Sequence, residues 1–167
     1  MTHIRKKQRL DYVEGKEAEY FFRKWTGAEN ATPDLERHHI DCILDGKTVD
    51  VKGLKKSHKD GYVLVEFKTV DGRDGWGSTG ASSDLVAFQF PEGFYVVDRI
   101  ELSKMAQRKI FANPTASKNK IVRGNSIPPI AGLYGLVGRP SRRDVFTYIT
   151  KEDLLSLNHH LYEPKDE

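Results

Sequence analysis

The chain has 167 residues, 31% of them charged and 38% hydrophobic, with a net charge of only +3. A chain of this size hides roughly 70% of its unfolded surface, so one globular domain is expected, and no stretch approaches the ~18 apolar residues of a membrane span. The single cysteine, Cys42, excludes a disulfide framework and a thiolate zinc cluster and suits a reducing cytoplasm. The basic opening MTHIRKKQRLDYVEG has no apolar core behind it, so it does not read as a secretory signal.

Residues 1–10, with Arg5, Lys6, Lys7 and Arg9, read as a mobile basic arm. Residues 11–26 have helical spacing: Ala18, Phe21, Phe22 and Trp25 form one apolar stripe, and Asp11 is placed to cap the helix. Residues 27–37 look like a loop. HIDCILDGKTVDVKG then reads as two strands about Asp45-Gly46, a dipeptide that accepts the positive φ of a tight hairpin turn. A polar connection at 54–60 leads to a third strand at 61–70, expected beside the hairpin. Residues 71–84 are Gly-rich and loop-like, with Ser82, Ser83 and Asp84 placed to cap the element that follows. DLVAFQF is a short apolar element of undecided type, FYVVDRI a strand and ELSKMAQRKI a helix. Residues 112–143 lack periodicity. VFTYI (145–149) reads as a late strand, and Thr150 caps a last helix, KEDLLSLNHHL, with His159-His160 at its C-terminal end. Residues 163–167 are a tail. The order gives an α/β (α+β) domain over 11–162, with a central mixed sheet around the hairpin and helices flanking it.

The hairpin carries the chemistry. With Asp45 and Gly46 as the turn, Cys42 faces Val49 and Asp41 faces Asp50 without any adjustment of the ladder. Side chains alternate along a strand. Cys42, Leu44, Val49 and Val51 therefore share an apolar face, while Asp41, Asp50 and Lys52 share the other. Opposed residues have Cβ atoms about 4.5–5.5 Å apart, so the two carboxylates repel unless a cation lies between them. Mg²⁺, for which Mn²⁺ can substitute, takes carboxylate oxygens and keeps positions for phosphate oxygens. Lys52 is placed to hold a nucleophilic water and offset developing phosphorane charge.

Asp41 followed by Asp50-Val51-Lys52 resembles the PD-(D/E)xK nuclease superfamily, whose core is a helix, a catalytic hairpin, another strand, a helix and a final strand. Gly15-x-x-Ala18-Glu19 resembles the first-helix motif of Holliday-junction resolvases. Val65-Glu66, Gly75-Trp76 and Ser83-Asp84 are similar to phage and restriction-type members. The resemblance spans about residues 11–102. It implies a restriction-endonuclease-like core and a Mg²⁺-dependent DNA endonuclease, phage- or mobile-element-encoded and of homing or restriction type, leaving 5′-phosphate ends in the host cytoplasm. It further implies metal ligation by Glu19 (with Glu17 as the alternative), Asp41, Asp50 and Glu66, with assistance from Lys52. Ile40 stands where the family has Pro, and Glu66-Phe67-Lys68 offers a rival register in which Asp50 is the first acid. Duplex cleavage needs two sites, so a homodimer is expected. The alternatives are a resolvase of branched DNA and a non-catalytic DNA-binding protein on the same fold.

The charge distribution fits a polyanionic partner. Lys104, Arg108, Lys109, Lys118, Lys120, Arg123, Arg139, Arg142 and Arg143 fall in one window without a single Asp or Glu, so 112–143 reads as a DNA-contacting segment with Tyr134 within it. His38-His39 before Asp41 could suggest zinc, but adjacent strand residues face opposite ways and nothing completes a tetrahedral site. The glycines at 72, 75, 77 and 80 lack a following Gly-Lys-Ser/Thr, which argues against a nucleotide cofactor. Trp76 is expected to pack.

Overall fold

The computed structural model describes residues 3–38, 40–78, 82–114 and 120–166, with side chains from residue 15 onward. In chain order the elements are α1 (His3–Thr26), β1 (Glu29–Asn30), α2 (Pro33–Glu36), β2 (Cys42–Leu44), β3 (Lys47–Lys52), α3 (Lys56–Lys59), β4 (Tyr62–Lys68) and β5 (Leu85–Phe90). There follow β6 (Gly93–Asp98), α4 (Arg99–Ala112), β7 (Val122–Arg123), β8 (Val137–Gly138), β9 (Val145–Thr150), α5 (Lys151–Ser156) and β10 (His159–Tyr162). The fold is mixed α/β with two sheets. No helix among the described residues is long and apolar enough to cross a membrane. The chain divides into two units, Met1–Lys55 with Ser83–Val96 and His160–Glu167, and Lys56–Ser82 with Val97–His159.

The first unit is built on a six-stranded sheet in the order β1-β2-β3-β5-β6-β10. Helix α1 lays Ala18 and Phe22, one turn apart, onto Cys42, Leu44, Val49 and Val51, with Phe21 and Trp25 packed at the side. The Phe22 ring meets Phe94 edge-on at 5.2 Å. The helix ends where Gly27, at φ 80°, donates its amide to the Arg23 carbonyl. Its start differs from expectation. The helix runs from His3 through the segment read as a mobile arm and through Asp11, the expected cap. Residues 3–14 contain neither Gly nor Pro, and half of them are Arg, Lys, Gln or Leu, so nothing in them stops a helix.

The hairpin has the register expected from its turn: Leu44 pairs with Lys47, Ile43 with Thr48 and Cys42 with Val49, and Asp45 and Gly46 take φ of 50° and 80°. The strand beside β3 is not the expected one. It is β5, parallel, with Asp50 against Val86 and Lys52 against Phe88, whereas β4 lies in the other sheet. The reason lies in the side-chain pattern. Strand β5 is a nearly continuous apolar run with Val86, Ala87, Phe88 and Phe90 buried, suited to a strand covered on both faces. Strand β4 alternates, burying Val63 and Val65 and leaving Tyr62, Leu64 and Glu66 half-buried. Asp84 does not cap a helix: its Oδ2 accepts from the Thr48 amide and hydroxyl at 2.9 and 3.1 Å, and its own amide donates to Thr48 Oγ1, fixing the start of β5 against β3.

The last helix, by contrast, is shorter than read. Thr150 caps it, accepting from the Asp153 amide at 3.0 Å, but Leu157 is extended and 159–162 form β10 beside β6. Gly93 permits that approach, since a Cβ there would lie 2.3 Å from the Tyr162 carbonyl oxygen. His159-His160 are therefore strand residues and not a helix C-terminal pair.

In the second unit β4 pairs antiparallel with β9, followed by β8 and β7. Asp98 caps α4 by accepting from the Glu101 amide at 2.9 Å. Leu102, Met105, Ala106 and Ile110 form its buried stripe.

Candidate functional site

The first unit brings together four of the five acids and bases singled out from the sequence. The ladder of β2 and β3 is regular up to Cys42 and Val49, and it deforms at Asp41. The Asp41 amide donates to the Val49 carbonyl at 2.9 Å, one residue out of step. Asp41 Oδ2 accepts from the Val51 amide at 2.7 Å, a bond that a regular ladder would draw from the backbone of the partner strand. Asp41 thus meets Asp50 through a kinked strand end and not through an undisturbed pair.

The Asp41 carboxyl lies within hydrogen-bonding reach of both Glu19 and Asp50. Lys52 Nζ stands 3.1 Å from Asp50 Oδ1, and Lys16 Nζ stands 3.4 Å from Glu19 Oε2. Asp50 and Glu19 are buried, at 3% and 7% exposure, while Asp41 and Lys52 are half-buried. Glu17, the alternative helix acid, is exposed. The first-helix acid, both hairpin aspartates and the lysine therefore form one group.

Burial dominates the electrostatics. It raises the Asp41 carboxyl from 3.8 to about 6; the Glu19 carboxyl adds to the rise and the Val51 amide opposes it. Burial also raises Asp50 to about 6, where Lys52 opposes the shift and Asp41 adds to it. Cys42, fully buried beside them, has its thiol pushed up to about 11 by burial, with the Arg23 guanidinium in reach of its sulfur working the other way. Arg23 follows Glu19 by four residues, on the same helix face; that spacing is the one signal in the sequence for a residue that motif matching does not pick out.

The donors are oxygens of three carboxyls, the chemistry that Mg²⁺ takes, and a divalent ion would offset the burial that raises Asp41 and Asp50. As placed, Asp41 Oδ2 is occupied by the Val51 amide and Asp50 Oδ1 by Lys52. Among the described residues no three His, Cys, Asp or Glu side chains surround a common ion position.

Glu66 stands apart. It is half-buried in β4, in the second unit, and β5 occupies the place beside β3 that was expected for its strand. Lys68 of the rival register is bonded to Asp74 at 2.9 Å. The neighbouring glycines have a packing role: Gly77 donates to the Glu66 carbonyl at 2.7 Å, and a Cβ on it would lie 2.5 Å from Val65 Cγ1. Trp76, between them, is half-buried. His38 is exposed and His39 lies outside the described residues.

The basic window divides in two. Lys104, Arg108, Lys109, Lys120, Arg142 and Arg143 are exposed, and Lys109 stands 3.5 Å from Asp153. Lys118 lies outside the described residues. Arg123 and Arg139 hold Asp144, which is 2% exposed. Arg139 Nε donates to Asp144 Oδ2 at 2.8 Å, and Arg123 Nη1 donates to the Asp144 carbonyl oxygen at 2.9 Å. The acid that neutralises these arginines is the first residue after the acid-free window. No family model, curated protein or solved structure matches this chain.

Proposed function

We propose that the chain is a Mg²⁺-dependent DNA endonuclease of the PD-(D/E)xK kind. The observation that carries this reading is the convergence of Glu19, Asp41 and Asp50 from a helix and a hairpin, with Lys52 at 3.1 Å from Asp50. The helix and hairpin of the first unit, with the parallel strand β5 beside β3, support the reading of a restriction-endonuclease-like core. A homodimer would provide the second site that duplex cleavage needs.

Glu19, Asp41 and Asp50 would hold the ion, which when bound polarises the scissile phosphate and acidifies water. Lys52 orients the attacking water and stabilises charge gathering on the non-bridging oxygens. The water oxygen bonds to phosphorus, the bond from phosphorus to the 3′ oxygen breaks, and the water's proton ends on that oxygen, leaving a 5′-phosphate and a 3′-hydroxyl. The exposed Lys104, Arg108, Lys109, Lys120, Arg142 and Arg143 are suited to DNA phosphates. Glu66 has no assigned step.

The test is incubation of supercoiled plasmid with Mg²⁺, Mn²⁺ or EDTA, for the wild type, Asp50→Ala and Lys52→Ala. Cutting by the wild type alone, and only with metal, supports the reading. A wild type that shifts DNA but never cuts it supports the second reading, a non-catalytic DNA-binding protein, which the pairing of buried Asp50 with its own cation, Lys52, favours. Preferential cutting of a four-way junction would mark a resolvase.

A further inference from the structure

We propose that a pocket beside the end of α1 and strand β1 is a subsite for one unpaired nucleotide of a DNA strand, its base stacked on Tyr20 and its phosphate between Arg23 and Lys24. The placement rests on the nuclease reading; the ligand class rests on the pocket itself. Tyr20, Arg23, Lys24, Ala28, Glu29 and Asn30 line a space of about 540 Å³, within the roughly 300–1,000 Å³ usual for small-molecule sites.

The Tyr20 ring is half exposed, at 50%. It is nevertheless held, because Phe21 meets it edge-on at 5.5 Å and Phe21 in turn packs on Trp25 at 5.3 Å. Lys24 Nζ lies over one face of the ring, 6.0 Å from its centroid, so a base would stack on the opposite face. An aromatic ring held among cations is the arrangement that single-stranded nucleic acid uses, stacking its bases and neutralising its backbone. Inside a duplex the base faces are covered by their neighbours, so such a ring selects a base that is already unstacked. Glu29 is the one acid among the lining residues. With Asn30 it lies on the exposed strand β1, where both side chains can bond a base edge.

The pocket adjoins the carboxyls. Asn30 pairs with Cys42 across the ladder, and the Ala31 amide donates to the Asp41 carbonyl at 3.4 Å. Arg23 reaches the sulfur of Cys42 and lies one helical turn beyond Glu19. A strand with its phosphate at Arg23 therefore passes next to the acids, and a free end, flap or branch is the substrate form that fits.

The experiment is fluorescence anisotropy in EDTA, with a labelled single-stranded 12-mer and a blunt duplex of the same length, for the wild type, Tyr20→Ala, Tyr20→Phe and Lys24→Ala. Tyr20→Ala is expected to weaken single-strand binding roughly tenfold while Tyr20→Phe retains it, Lys24→Ala weakens it with a shallower salt dependence, and duplex binding stays constant. Matching thermal melts show that each variant is folded. Unchanged single-strand affinity in Tyr20→Ala overturns the inference, as does displacement of the oligonucleotide by inorganic phosphate at low millimolar concentration. Plasmid cleavage separates the two readings. A wild type that never cuts, with Tyr20-dependent binding intact, removes the nuclease and leaves the subsite; a cutting wild type with no Tyr20 dependence does the reverse.

Discussion

Lys52 Nζ lies 3.1 Å from Asp50 Oδ1, two residues along the same strand and on the same face. The pairing sets the charge of the most buried acid in the group, because Lys52 is the principal influence holding the Asp50 carboxyl down against burial. Lys52→Ala should therefore act twice. Metal-dependent cleavage should fall by roughly 10²–10³-fold, the size of effect seen when one charge-stabilising donor is removed. Stability should also drop by roughly 1–3 kcal/mol near neutral pH, because the carboxyl is then ionised without its partner, with little loss where it is protonated. Cleavage assays and thermal melts on the same preparation measure both; full cleavage in Lys52→Ala would remove the lysine from the chemistry.

The pH dependence follows from the two aspartates. Each has its folded value raised to about 6 from 3.8. Protonation thus favours the folded chain: the stability these groups contribute is fully present below 3.8 and is lost as the pH rises through about 6. Asp144 works in the opposite sense, since Arg139 and Arg123 lower its pKa against burial and its contribution is lost on acidification. The difference between the wild type and Asp50→Asn isolates the first effect. In EDTA, Asp50→Asn should melt increasingly above the wild type as the pH rises past about 6, and Mg²⁺ should raise the wild-type melting temperature more at pH 8 than at pH 5. A constant offset across that range would show that the carboxyls are not charged as described.

Glu19 and Glu17 are separated by burial. Glu19 is 7% exposed and within reach of Asp41; Glu17 is exposed on the helix surface. Glu17→Gln should leave cleavage and stability within about 0.5 kcal/mol of the wild type. Glu19→Gln should raise the Mg²⁺ concentration needed for cleavage at least severalfold, because an ionised oxygen is exchanged for a neutral amide. Titrating cleavage against Mg²⁺ for both variants decides the point. Equal curves would exclude Glu19 as a ligand.

The hairpin, its apolar face and the grouping of Asp41, Asp50 and Lys52 were legible because a two-residue Asp-Gly turn fixes register and period-2 alternation does the rest. The neighbour of β3 was not. Which strand adds to an open edge depends on burial of both faces, and the continuous run at Leu85–Phe90 fits that place better than the alternating run at Tyr62–Lys68. The burial of Asp50 was missed for the same reason, since a hairpin read alone leaves its polar face open to solvent. Likewise, β10 depends on Gly93 admitting a carbonyl from a segment 69 residues away, an approach no local pattern encodes. The kink at Asp41 is a further local departure: the carboxylate takes the Val51 amide, so the ladder yields to the site.

The arginines of the basic window should separate into two behaviours. Arg123 and Arg139 are bonded to Asp144, itself nearly solvent-free, and removing either leaves part of a buried carboxylate uncompensated. Arg139→Ala should cost about 2 kcal/mol, less than a fully buried pair because Arg139 is more than half exposed. Arg142 and Arg143 are exposed, and their alanine variants should fold with wild-type stability. Their effect should fall on DNA: each phosphate left without its cation should flatten the slope of log affinity against log salt by about 0.9 on duplex. Chemical denaturation and DNA binding at several salt concentrations distinguish the classes. If Arg142→Ala and Arg143→Ala bind with an unchanged slope while Arg139→Ala keeps full stability, this segment neither grips a polyanion nor depends on its buried acid.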